Sequence, residues 1–154
     1  MQKFIVDDSF WKIFPEARIA VLSLSDVDET AQLSDEEMKE IADILTEANR
    51  EAVKYVPNET ISENPVVQVW RQAYQQFPTK KGARCALENL LKRVLHGKPV
   101  GSIAPSVDLT NAVSLKYAFP IGVENMDAFV GDLHLGVMDG TEDFLPIGET
   151  EADP

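Results

Sequence analysis

Between Ser34 and Val56 the apolar residues Met38, Ile41, Ala42, Leu45, Ala48, Ala52 and Val56 recur at steps of three and four. Only a helix brings residues at that spacing onto one face. Ser34 stands just ahead of the run with Glu37 three places on, a capping-box arrangement in which the Ser34 hydroxyl accepts from the Glu37 amide. Asp35, Glu36 and Glu37 also place negative charge at the positive end of the helix dipole. The pattern predicts an amphipathic helix to about Tyr55, and every other element has to pack around it.

Three further helices follow from similar signals. Asn64-Pro65 is a cap residue followed by proline at the first helical position, and Val66, Val67, Trp70, Ala73, Tyr74 and Phe77 carry that helix to Pro78. Leu87, Leu90, Leu91, Val94 and Leu95 predict a helix over about 82–96, with Gly97 placed to cap it. Pro105 opens a fourth, through Val107, Leu109, Val113 and Leu115 to about Tyr117. Near the amino terminus Phe4-Ile5-Val6 reads as a short strand, and 9–14 as a helical turn or two stopped by Pro15. Arg18-Ile19-Ala20-Val21-Leu22-Ser23-Leu24 is rich in β-formers on both faces and predicts a strand in a sheet covered on both sides. Leu133, Leu135 and Val137 alternate with Asp132, His134 and Gly136, so the period changes to that of a strand; Asp139-Gly140 is a turn, and 144–147 a candidate hairpin partner.

The expected fold class is therefore α+β, a mixed β-sheet packed with three to four helices in a single domain over 1–148, followed by an acidic tail over 149–154. With helices in the middle and strands at both ends, the sheet should join distant parts of the chain. The 154 residues, 44% of them hydrophobic, suffice for one core without a metal or disulfide staple. The single cysteine, Cys85, has no partner within the chain, and no apolar run of signal-peptide or membrane-span length occurs, so a cytoplasmic location is expected.

A net charge of −12 opposes indiscriminate adhesion to nucleic acid. Its distribution is uneven. Six cations, Lys80, Lys81, Arg84, Lys92, Arg93 and Lys98, fall between residues 78 and 98 with one acid, Glu88. Such a face is either a solvated helix surface, with Glu88 pairing at four-residue spacing to Arg84 and Lys92, or a contact for a phosphate backbone. Cys85 lies among apolar helix neighbours and reads as a buried structural thiol rather than a nucleophile. His96 sits at a helix end and His134 on the outer face of its strand; neither has neighbours at metal-ligand spacing, so no metal is expected. No glycine-rich nucleotide loop and no nucleophile elbow is present, so no ATP-binding site and no cofactor are expected.

The stretch Ser106-Val107-Asp108-Leu109-Thr110-Asn111, then Phe119-Pro120-Ile121-Gly122, Asn125-Met126-Asp127 and Gly131-Asp132-Leu133-His134-Leu135 together resemble the B3/B4 domain of the phenylalanyl-tRNA synthetase β subunit. The likeness extends upstream through Phe10-Trp11, 18–24 and the basic helix over 83–96, as in free-standing members of that family. The resemblance implies a tRNA-binding domain of the editing type, with tRNA or aminoacyl-tRNA as partner and an ester between amino acid and tRNA as substrate. It implies a pocket lined by Asn111, Pro120, Gly122 and Val123, with Lys80, Lys81, Arg84, Lys92, Arg93 and Lys98 toward RNA. Gly122 stands where the bacterial synthetase has a pocket histidine, so an imidazole able to orient water is missing. Asn111 either lines the pocket or satisfies backbone groups; Gly122 either serves a turn with unusual backbone angles or widens the pocket. The family pattern continues past Gly148, whereas this chain stops at Pro154, as in a fragment or a domain completed some other way. The alternative to an editing function is a non-catalytic module for a small amino-acid-like ligand or a protein partner.

Overall fold

Ser34 caps its helix as the sequence requires: its hydroxyl accepts from the Glu37 amide, and the Glu37 carboxylate takes the Ser34 amide at 2.8 Å. These bonds hold the Glu37 carboxyl below its ordinary pKa. In the computed structural model, which describes residues 2–28, 31–79 and 82–140, the chain runs β1 (Phe4–Val6), α1 (Asp8–Ile13), α2 (Asp35–Ala52), α3 (Pro65–Tyr74), α4 (Ala86–Leu95), α5 (Pro105–Tyr117) and β2 (Leu133–Leu135). Short 3₁₀ turns follow α2, precede α3 and precede β2.

The core lies among α2 to α5. Leu45, Ala48 and Ala52 of α2 meet Val67 of α3, Leu87, Leu91 and Val94 of α4, and Ala112 and Leu115 of α5, with Val56, Cys85 and Val100 closing the cluster. Alanine on both α2 and α5 lets the two backbones approach closely, and among the described elements that pair has the most extensive contact. Cys85 is buried as expected, and burial pushes its thiol pKa up.

Buried polar side chains fasten the connections. Asn49 of α2 meets the backbone of Val100 twice, accepting from its amide at 2.7 Å and donating to its carbonyl at 3.1 Å. Asn64 accepts from the Asn58 amide and donates to the carbonyls of Asn58, Thr60 and Ile61. Asp108 accepts from the Ile103 amide at 2.8 Å and from the Ser102 hydroxyl, tying the loop ahead of α5 to its first turn. Each is a polar group that stays buried because its partners are supplied.

Two helices are shorter than their periodicity suggests. The last turn of α3 unwinds over Gln75 and Gln76, and Phe77 instead packs on Tyr74 and Phe14. α4 begins only at Ala86, because Gly82 takes a left-handed backbone (φ +92°) and breaks the pattern. Its end is as read: Gly97 is left-handed, its amide reaches the Val94 carbonyl and the Lys98 amide reaches the Arg93 carbonyl, a complete Schellman turn.

The expected mixed sheet is replaced by a mostly helical architecture with a two-stranded parallel sheet. β1 pairs with β2, Ile5 opposite His134, so the sheet does join distant parts of the chain. Residues 18–24 form no strand and stand exposed, Leu22 at 84%. Their β-propensity is real, but propensity makes no strand without a pairing partner, and among the described residues the strand pairing is between β1 and β2 alone. The expected hairpin partner over 144–147 and the tail over 149–154 lie outside the described residues. No helix among the described residues is long and apolar enough to cross a membrane.

Candidate functional site

The cations of the basic window divide into two groups. Arg84, ahead of α4, places Nε 3.4 Å from Glu88 Oε1 and donates through Nη1 to the Ala83 carbonyl. Glu88 is only 5% exposed and also receives Nε and Nη2 of Arg71 at 3.0 and 2.6 Å. This two-pronged contact locks α3 to α4, and it raises the Arg71 pKa through the hydrogen bonds to Glu88. The four-residue spacing correctly pairs Glu88 with Arg84, but the second partner is Arg71, not Lys92. Sequence spacing cannot show a partner supplied by another helix.

Lys92, Arg93 and Lys98 form the second group, on the last turn of α4 and just past its glycine cap. All three are exposed, and none forms an ion pair among the described residues; Arg93 has only a long contact, 3.5 Å, to the Pro99 carbonyl. Lys80 and Lys81 lie outside the described residues.

Asn111 sits half-buried in α5, and its side-chain amide makes no hydrogen bond to another described residue. The turn that follows α5 is set by Ser114, whose hydroxyl donates to the Phe119 carbonyl at 2.7 Å, while Ala118 adopts the left-handed conformation that ends the helix. Trp70 of α3 meets Phe119 edge-on, with ring centroids 6.2 Å apart. Pro120 is half-buried beyond this anchor, and Gly122 and Val123 are exposed. Gly122 has no left-handed backbone, and a Cβ there would meet nothing within 4 Å, so the expected need for unusual backbone angles is corrected.

Two concave regions are formed by other residues. A groove of about 700 Å³ runs between α2 and α5, with Ile44, Ala48, Leu109, Ala112, Val113 and Tyr117 as its apolar lining. A smaller hollow of about 240 Å³ lies between α3 and α4, beside Trp70, Tyr74 and Cys85. Neither is lined by Asn111, Pro120, Gly122 or Val123. The structure keeps Pro120 to Val123 together in one turn and places Asn111 on the helix before it.

One pairing has no signal in the sequence. His134 Nδ1 lies 3.0 Å from Asp7 Oδ1, across the parallel strands and 127 residues away. Beside it Ser9 Oγ accepts from the Val137 amide at 3.0 Å. A Cβ on Gly136 would stand 2.7 Å from Asp7 Oδ2, so glycine permits this close approach. The apolar residues on more than one face of α5 stand in the sequence, but the groove they form with α2 does not.

Fold and surface thus define a mostly helical domain with a small parallel strand pair and exposed cations at one helix end. Residues 69–154 match the family model of the B3/4 domain. That is more than half of the chain, and the chain belongs to the B3/4 domain family, a family associated with tRNA binding and editing. The match takes in most of α3, all of α4, α5 and β2, whereas the resemblance read upstream, through 10–11 and 18–24, lies outside it. No curated protein and no solved structure matches the chain.

Proposed function

We propose that this domain binds tRNA or aminoacyl-tRNA, with Lys92, Arg93 and Lys98 on the phosphate backbone and Asn111 and the Pro120–Val123 turn toward the aminoacyl end. The observation that carries this reading is the family match over residues 69–154, which includes all of these residues. These three cations are exposed and form no ion pair among the described residues, which supports the choice of contact, because a chain of net charge −12 otherwise repels phosphate. Lys80 and Lys81 extend the same basic stretch in sequence.

Fluorescence anisotropy with labelled tRNA at several salt concentrations tests the binding. Three phosphate contacts give a log–log salt slope of about −2 to −3. Reversing Lys92 and Arg93 to glutamate should weaken binding by about tenfold or more and flatten the slope. Binding that ignores both salt and the double reversal overturns the proposed contact.

In the hydrolytic form of this reading, water adds to the ester carbonyl and the bond to the ribose oxygen breaks. That oxygen leaves with a proton, giving free amino acid and uncharged tRNA. The turn offers no side-chain base, so the protein contributes positioning and polar stabilisation through the Asn111 amide and backbone groups of 120–123. Ester half-lives across a panel of mischarged tRNAs should shorten with added protein; unchanged half-lives remove hydrolysis and leave the binding test standing.

A second reading, a non-catalytic module for a small amino-acid-like ligand, is favoured by the half-buried Asn111 amide, which has no hydrogen-bond partner among the described residues. Under it, free amino acids raise the melting temperature with occupancy while tRNA does not.

A further inference from the structure

The outer surface of α5 differs from that of the other helices. Its inner residues Asp108, Ala112 and Leu115 are buried, yet Leu109, Val113 and Tyr117 remain 39%, 44% and 64% exposed along the adjoining face. A helix that is apolar on both sides is normally covered on both sides. Here the second side forms one wall of the groove with α2, whose exposed Ile44 adds to the apolar floor.

The rim of that groove is acidic. Glu36, Glu40, Asp43, Glu47 and Glu51 of α2 line it, against Lys39 and Lys116. Asp43 is paired with Lys39, Glu47 with Arg50 and Glu51 with Lys54, whereas Glu36 and Glu40 form no ion pair among the described residues. From Glu36 to Glu51 the wall runs about 22 Å at 1.5 Å per residue, the length of four helical turns.

We infer that the α2–α5 groove is a docking site for a cationic amphipathic helix of a partner protein. The apolar floor takes the leucine-like face of such a helix, and the carboxylate rim takes lysines or arginines on its flanks, the helix-in-groove mode of recognition. Charge selects among the occupants. A second copy seated symmetrically on this groove would set acids against acids, and phosphate backbones or anionic lipid surfaces are repelled by the same rim. Electrostatic complementarity leaves the cationic helix as the occupant that satisfies floor and rim together. The site is separate from the cations of α4 and does not depend on the proposed tRNA contact.

The test uses the full chain and a labelled peptide of about 18 residues, built from leucine and lysine with leucines at helical spacing. A scrambled peptide of the same composition and a leucine–glutamate peptide serve as comparisons. The amphipathic cationic peptide should bind about tenfold or more tighter than the scrambled one, and the acidic peptide should not bind. Val113→Arg, and separately Glu36→Lys with Glu40→Lys, alter exposed residues and should each weaken that binding about tenfold while the helical circular dichroism holds; the second variant also lowers the melting temperature slightly, because Glu36 lies in the first turn of α2. Equal binding of the scrambled peptide shows charge attraction alone and overturns the inference, as does unchanged binding by both groove variants. Sedimentation that shows the free chain self-associating, reversed by Val113→Arg, overturns it in favour of a second copy.

Discussion

The helical body and the parallel strand pair are held by different contacts. In the body, fully buried Leu87, Leu91 and Leu115 are surrounded on all sides, and Asn49, Asn64, Asp108 and Glu88 have their buried polar atoms satisfied. In the strand pair no residue is fully buried; the pairing rests on the ladder, on Lys3 bonding to Asp132, on His134 against Asp7, and on Val137 against Ser9. A run of rings, Phe10 to Phe14 to Phe77 to Tyr74, connects the amino-terminal segment to α3. Hydrogen bonds are present in both regions, so the difference lies in burial. Apolar area removed from water, not the count of bonds, sets how cooperatively each region opens.

Native-state hydrogen exchange gives the largest expected contrast. The amides of Asp7 and Leu133, which bond across the strands to Leu135 and Lys3, should exchange faster than those of buried Leu45 or Leu91 by on the order of a hundredfold or more. Equal protection would erase the distinction between the regions. Truncation of Leu91 to alanine should cost about 2–5 kcal/mol in urea melts, because it opens a cavity at a position with no exposed surface. Asn64→Ala should cost about 1–3 kcal/mol, since it strips partners from the 58–61 loop in a buried setting.

The smallest effect concerns the cap of α2. The Glu37 pKa is depressed by its hydrogen bonds to Ser34, so its stabilisation is fully present above the unfolded carboxylate value and fades as pH falls through the lower folded one. Ser34→Ala should remove that acid-side component of the melting curve and lower stability slightly at neutral pH. A pH profile identical to that of the parent chain would show that the capping box is energetically silent.

Much of the helical body was legible from local signals. Ser34 with Glu37, Pro65 and Pro105 at first helical positions, and Gly97 past the last turn of α4 all mark ends where they occur, because capping is a contact between residues three or four apart. Residues 18–24 misled for the opposite reason: strand formation depends on what lies alongside, and β-branched spacing carries no information about a neighbour. The site divides the same way. Asn111 and the turn over 120–123 were visible as a motif and a family pattern, and their sequence neighbours fix their local geometry. The Arg71 partner of Glu88, the Asp7 partner of His134 and the groove between α2 and α5 were not visible, since each joins segments far apart in the chain.

The sequence by itself determined the helices, their caps, the acidic balance with its one basic stretch, and the family pattern over the carboxyl-terminal half. These follow from periodicity and short-range chemistry. Only the tertiary structure decided that the amino-terminal strand lies parallel to β2, that Glu88 serves two arginines, and that α5 presents a second apolar face beside an acidic wall. Those features depend on the packing angles and approach distances of whole helices, which no local window of residues encodes.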